Sequence, residues 1–195
     1  MLAGMADDTH PLHADAGRIR PPLAGDRVRL RAIEEDDLPR LNELILDPEV
    51  LNHLDLVQFG QPVAGIHAFW ESTRGRDDVV VFAIEAPSGE PIGICALEQI
   101  NWGARTAVLG IWIGQPYWGK GYGTDAVRTI CRFGFDQMNL QRVSLHVYET
   151  NPRGRAVYEK VGFKLEGTMR RAQFRFGRYV DGHVMGLLKE DLTGR

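Results

Sequence analysis

A chain of 195 residues, 44% of them hydrophobic, is long enough to bury a substantial core within one domain. Its 26 acids against 23 Lys and Arg leave a net charge of −3, which argues against a general nucleic-acid binder. No apolar run approaches the ~18 residues that a membrane span needs, and no charged-then-apolar leader opens the chain, so a cytoplasmic protein is expected.

Residues 1–24 are rich in Ala, Asp, Gly and Pro and show no apolar period, which predicts a flexible tail ahead of a single domain over 25–195. His10 and His13 in that tail could suggest metal binding, but two histidines in such a segment are expected to be solvated. Val28, Leu30, Ala32 and Ile33 open a first strand. The acids Glu34, Glu35, Asp36 and Asp37 then lead into a helix with Leu38, Leu41, Leu44 and Ile45 on one face, where the helix dipole favours them. Asp47 and Pro48 read as an N-cap followed by Pro at a first helical position.

Asn52 to Pro62 has no period and carries His53, Asp55, Gln58 and Phe59, as a binding loop or lid would. Ile66, Phe69 and Trp70 mark another helix, ending near Gly75. Val79 to Ala86 and Ile92 to Ile100 pair as a hairpin about the turn at Pro87–Glu90. Cys95 and Cys131 sit within apolar patterns, as small core residues rather than a disulfide or metal pair.

Leu109 to Gln137 is the most informative stretch. Leu109, Ile111, Trp112 and Ile113 read as a buried strand, and Gly119, Gly121 and Gly123 as a loop. From Thr124 a helix follows, with Ala126, Val127, Ile130, Cys131 and Phe133 on one side. Glycines let the backbone approach a ligand, and the helix N-terminus beyond them suits a phosphate or pyrophosphate. A dinucleotide fingerprint fails, because the spacing is G-x-G-x-G. A nucleotide-triphosphate loop fails at Gly121, where a metal-binding hydroxyl belongs. Further on come a strand at Val143–Val147, a helix from Asn151 to Val161 ended by Gly162, and a closing hairpin. Its strands run about Phe163–Phe174 and Tyr179–Leu188, turning at Phe176–Gly177–Arg178.

The glycine stretch resembles the pyrophosphate loop of the GNAT N-acetyltransferases, [QR]-x-x-G-x-[GA], with Trp118 at the Gln/Arg position. It is similar to the version carried by the ribosomal-protein and spermidine N-acetyltransferase branches. Asn151 to Phe163 resembles a second signature of that family, N-x-x-[AS]-x-x-x-Y-E-x-x-G-F, with Gly154 at the Ala/Ser position. The element order β-α-α-β-β-β-α-β-α-β-β fits the same family from about Arg27 onward. The resemblance implies an α+β GNAT fold, with a mixed central sheet of about seven strands flanked by helices.

It also implies transfer of acetyl from acetyl-CoA to a primary amine by direct attack in a ternary complex. Cofactor contacts fall on Ile111, Trp112 and Ile113 of the strand and on Trp118, Gly119, Lys120, Gly121, Tyr122, Gly123 and Thr124 of the loop. Asn151 and Arg155 match further cofactor positions, and Tyr158 matches the general-acid tyrosine. Related sequences often carry Glu two residues before the strand glycine, where this chain has Val108. Glu98 is the remaining strand acid that could serve as base, or it is an exposed edge residue. His146 is either a proton relay or a structural histidine. A silent acyl-CoA-binding protein on the same fold is the alternative. The expected partner is a polyamine-like amine or a peptide N-terminus, with no metal, nucleic acid or membrane and with a homodimer open. Carboxylates at Glu34–Asp37, Asp55 and Glu98 would favour a polycation, whereas Arg170, Arg171, Arg175 and Arg178 on the last hairpin would repel one.

Overall fold

The computed structural model describes residues 23–54, 66–175 and 177–194. Of the expected tail, His10 and His13 lie outside the described residues, as do Asp55, Gln58 and Phe59 of the expected loop and Phe176 of the last turn.

Strands β1 (Arg29–Arg31), β2 (Val80–Glu85), β3 (Pro91–Asn101), β4 (Thr106–Ile113), β5 (Arg142–Tyr148), β6 (Lys164–Arg175) and β7 (Arg178–Leu188) form one seven-stranded sheet in the order β1-β2-β3-β4-β5-β7-β6. All neighbours are antiparallel except β4 and β5, which are joined by the crossover helix α4 (Tyr122–Asp136). The remaining helices are α1 (Leu38–Ile45), α2 (Pro48–Leu51), α3 (Ile66–Thr73) and α5 (Pro152–Val161).

Helix α2 is one more element than expected. Asp47 accepts the N–H of Glu49 at 2.8 Å and Pro48 occupies the first position, so this cap starts a real helical turn. Helix α4 begins at Tyr122, two residues earlier than expected. Its N-cap Gly121 sits at φ +83°, so the left-handed turn is complete there and the helix starts at once.

The apolar periods decide the layers. Ala126, Val127, Ile130, Cys131 and Phe135 of α4 are buried with Cys95, Leu97, Leu109, Val143 and Leu145 on one face of the sheet. On the other face Leu38 and Leu41 of α1 and Ile66 of α3 pack with Ala83 and Ile94, with Trp112 at the margin. Each large apolar side chain so buried contributes about 1.5–3 kcal/mol, which makes these two clusters the main stabilising term. Cys95 and Cys131 are free and buried, and burial pushes both thiols well above their ordinary range.

Two polar devices fix the N-terminal part. Asp37 is buried and receives both terminal nitrogens of Arg31, at 2.6 and 2.8 Å, while its Oδ2 also accepts the N–H of Glu34 at 2.9 Å. The buried carboxylate of Asp125 on α4 accepts the N–H groups of Asp26 (3.1 Å), Arg27 (2.7 Å) and Val28 (3.0 Å). Among the described residues no helix is long and apolar enough to cross a membrane.

Candidate active site

The parallel pair β4–β5 stays together only from Thr106 to Val108, matched with Arg142 to Ser144. Beyond that the strands part, while β4 remains paired with β3 as far as Ile113. A cavity of about 640 Å³ opens in the gap, lined from both faces of the sheet by Val108 to Ile113 of β4 and His146 to Tyr148 of β5.

The free edge of β4 is usable backbone. N–H and C=O of one strand residue point to the same edge, and the next residue's point to the other. Gly114 N–H reaches back to Ile92 on β3, and Trp118 Nε1–H is bonded to Ile113 O at 2.6 Å on the opposite side. Ile111 shares the edge of Ile113 and lies beyond the last paired residue, so it presents its backbone N–H and C=O to the gap.

At the end of that edge lies the glycine loop. Gly119 (φ +75°) and Gly121 (φ +83°) are left-handed, a conformation in which a side chain would be strained. The first backbone bond into α4 is Asp125 N–H to Gly121 O, and none of the N–H groups from Gly119 to Thr124 donates to a backbone carbonyl. Six successive donors at the positive end of a 15-residue helix suit a pyrophosphate. The loop, the free strand edge and the cavity volume together fit a pantetheine-bearing nucleotide.

Tyr158 enters from α5. Its half-buried ring packs edge-on against Phe163, with centroids 5.9 Å apart. Burial alone pushes the phenol up to about 12, so it stays protonated at neutral pH. Glu98 enters from β3 and stands directly across from Val108 in register, so both side chains are on the same face. Its carboxylate oxygens lie 3.9 Å from where a Cβ on Gly110 would be, against the cavity-lining strand. Burial raises its pKa above the ordinary glutamate value, partly offset by Arg76. His146 also lines the cavity but is exposed.

Ile111, Trp112, Ile113, Trp118, Gly119, Gly121, Tyr122, Gly123, Thr124, Asn151, Tyr158 and Glu98 all line this one cavity. Lys120 and Arg155 do not. Lys120 extends over the Tyr117 ring, Nζ 5.6 Å from its centroid, and Arg155 pairs with Glu159 at 2.8 Å along the outer face of α5. The guanidinium on the wall belongs instead to Arg153, 4.3 Å over the Trp118 ring. Asn151 caps α5 by accepting Gly154 N–H at 2.8 Å, and a Cβ on Gly154 would come within 2.7 Å of that amide.

Sequence reasoning also missed Arg27, whose guanidinium carbon lies 3.8 Å from where a Gly121 Cβ would be. Nothing local in the sequence marks it; the Asp125 clamp brings it there from the far edge of the sheet. His53, which the sequence marks only as one residue of a possible binding loop, lines the cavity with its ring centroid 5.9 Å from that of Trp118. None of the four arginines named on the last hairpin lines the cavity; Arg175 is buried, and Arg178 pairs with Glu149 at 2.8 Å. Of the acids expected to line the cleft, Asp37 is held by Arg31 and only Glu98 reaches the wall among the described residues. Among the described residues no cluster of three or more His, Cys, Asp or Glu side chains is arranged to hold a metal ion.

Comparison with known proteins agrees with this geometry. A family model described as an acetyltransferase (GNAT) domain matches residues 27–164. The chain is 32% identical over 175 residues to a putative ribosomal N-acetyltransferase, YdaF, of Bacillus subtilis, covering 87% of this chain and 95% of that protein. It is equally 32% identical over 172 residues to a spermidine N(1)-acetyltransferase of Vibrio cholerae, covering 87% of this chain and 97% of that one. The crystal structure of a Vibrio cholerae spermidine N-acetyltransferase in complex with CoA and spermine superposes with a TM-score of 0.76 at 26% identity, covering 84% of this chain and 96% of that chain.

Proposed function

The chain belongs to the GNAT family of acetyltransferases and has its fold, and from that premise we propose that it moves acetyl from acetyl-CoA to a primary amine by direct attack in the β4–β5 gap. The observation that carries this reading is the convergence on one cavity of the unpaired loop amides, the free edge of β4, Tyr158 and Glu98.

Bound acetyl-CoA would supply an activated acetyl thioester. The N–H groups of Gly119 to Thr124 hold the pyrophosphate, and Arg27 adds a cation beside Gly121. Ile111 offers a backbone donor toward the thioester oxygen, where negative charge develops. Glu98 attracts the acceptor's ammonium, and its burial makes it a better proton acceptor than an exposed glutamate. Tyr158 holds a proton for the departing sulfur. Both cysteines lie buried in the core away from this wall, so attack through an acetyl-cysteine has no support.

Incubation with acetyl-CoA and a panel of amines, following free thiol and the mass of the product, tests the reading. Amine-dependent thiol release with an acetylated product supports it. Val108 favours the silent acyl-CoA-binding alternative, which binding without thiol release would select.

A further inference from the structure

Among the described residues four other than glycine have a positive φ, Gln99, Arg105, Asn139 and Arg171, and of these only Gln99, at φ +50°, lines the cavity. A left-handed backbone is uncommon for a residue with a side chain, and such positions cluster at functional sites. Its cause here is a bulge. The β3–β4 ladder keeps register as far as Glu98 opposite Val108 and resumes at Asn101 opposite Thr106, so Gln99 and Ile100 together face Ala107. Ile100 N–H donates to Asp78 O at 2.9 Å, outside that ladder.

The extra residue breaks the alternation of faces. In a regular strand Gln99 would follow Leu97 into the core beneath α4. Instead Leu97 and Ile100 are both buried in that core, and Glu98 and Gln99 are left as neighbours on the cavity side. The Gln99 side chain is exposed, and among the described residues its amide has no hydrogen-bond partner. The Glu98 carboxylate reaches toward Gly110, where no side chain stands in its way. A carboxylate and a neutral amide oxygen thus open side by side onto the gap, two acceptors that differ in charge.

A neutral primary amine carries two N–H bonds and one lone pair. The lone pair forms the new bond to the thioester carbon, and one N–H proton passes to the base. The C–S bond breaks, and the sulfur takes the proton that Tyr158 holds. The other N–H stays in the product amide. We infer that Gln99 is a specificity-determining residue, whose amide oxygen accepts the N–H that stays while Glu98 takes the proton that leaves. A secondary amine has an alkyl group in place of the retained N–H and leaves the Gln99 oxygen unpaired. The inference rests on the acetyl-transfer reading and adds to it a selection by the number of N–H bonds on the reacting nitrogen.

Steady-state kinetics with butylamine and N-methylbutylamine, two monoamines of similar basicity, test it alongside acetyl-CoA calorimetry. Wild type should favour butylamine in kcat/KM by about tenfold or more, the effect of one missing hydrogen bond. Gln99→Met, close in size but without the oxygen, should narrow the ratio between the two amines about tenfold and leave acetyl-CoA affinity unchanged. Gln99→Gly suits the left-handed backbone, so it should keep the fold and narrow the ratio equally, which separates the side chain from the bulge. Gln99→Glu retains an acceptor oxygen and should keep the wild-type ratio. Glu98→Gln should slow both amines alike. Turnover in which Gln99→Met and Gln99→Gly both keep the wild-type ratio would overturn the inference alone. Tight acetyl-CoA binding with no turnover of any amine would overturn the acetyl-transfer reading with it.

Discussion

Glu98 of β3 faces Val108 of β4 directly across the antiparallel ladder. The carboxylate therefore stands on the same face as a β4 acid at position 108 would, one strand over, and it reaches the cavity wall near Gly110. A missing acid on one strand can be replaced from its register partner, because the two side chains emerge side by side. Glu98→Gln should lower kcat/KM for amines by about 10². Burial raises the Glu98 pKa, and a glutamate acting as base must be ionised, so in the proposed role the acid limb of the wild-type profile should lie above the ordinary carboxylate range. A pH–rate profile of both proteins checks this, and the limb should be lost in the variant.

The Arg27 guanidinium beside Gly121 has a similar local test. Arg27→Ala should weaken acetyl-CoA binding several-fold, about 1 kcal/mol, with a smaller salt dependence than wild type. Arg155→Ala, which removes only the pair with Glu159 on the outer face of α5, should leave affinity unchanged. Isothermal calorimetry at two ionic strengths separates the two.

The Asp125 clamp should matter for stability. Asp125→Ala leaves three backbone N–H groups without their acceptor, and a loss of about 3 kcal/mol is expected. Urea unfolding measures it. Because Gly121 and Arg27 meet through the same clamp, acetyl-CoA affinity should fall in parallel.

Asp37 makes the fold sensitive to acid. The hydrogen bond from Arg31 holds its pKa below the ordinary 3.8, against a smaller opposing effect of burial. The folded state then keeps the carboxylate ionised at pH values where the unfolded chain binds a proton. This stabilisation is present above the unfolded value and is lost as pH falls through the folded one. Asp37→Asn should destabilise the protein by about 3 kcal/mol at neutral pH and flatten the acid limb of its stability curve. Thermal unfolding across pH checks both.

Local chemistry made the glycine loop, the α4 and α5 helices and Tyr158 legible in the sequence, because each is set by spacing within one short stretch. Gly121 ends the loop and Asn151 caps α5 through contacts a few residues long. What escaped depends on contacts between distant segments. Arg27 reaches the loop only through Asp125, and Arg175 holds the α2 end only because the last hairpin folds across it. Arg153 and Arg155 are alike in sequence, and helical phase sends one onto Trp118 and the other onto Glu159. Helix α2 was visible as a cap but too short to show a period.

The central claim is that the cavity between β4 and β5 carries out amine acetylation with Tyr158 supplying the proton to the sulfur. Amine-dependent release of free CoA thiol, measured for wild type and Tyr158→Phe at saturating acetyl-CoA, tests it most directly. The account predicts turnover by wild type and a fall of about 10² or more in the variant, with the fold and acetyl-CoA affinity retained. Near-normal turnover by Tyr158→Phe, or no amine-dependent thiol release by wild type that binds acetyl-CoA, would contradict it.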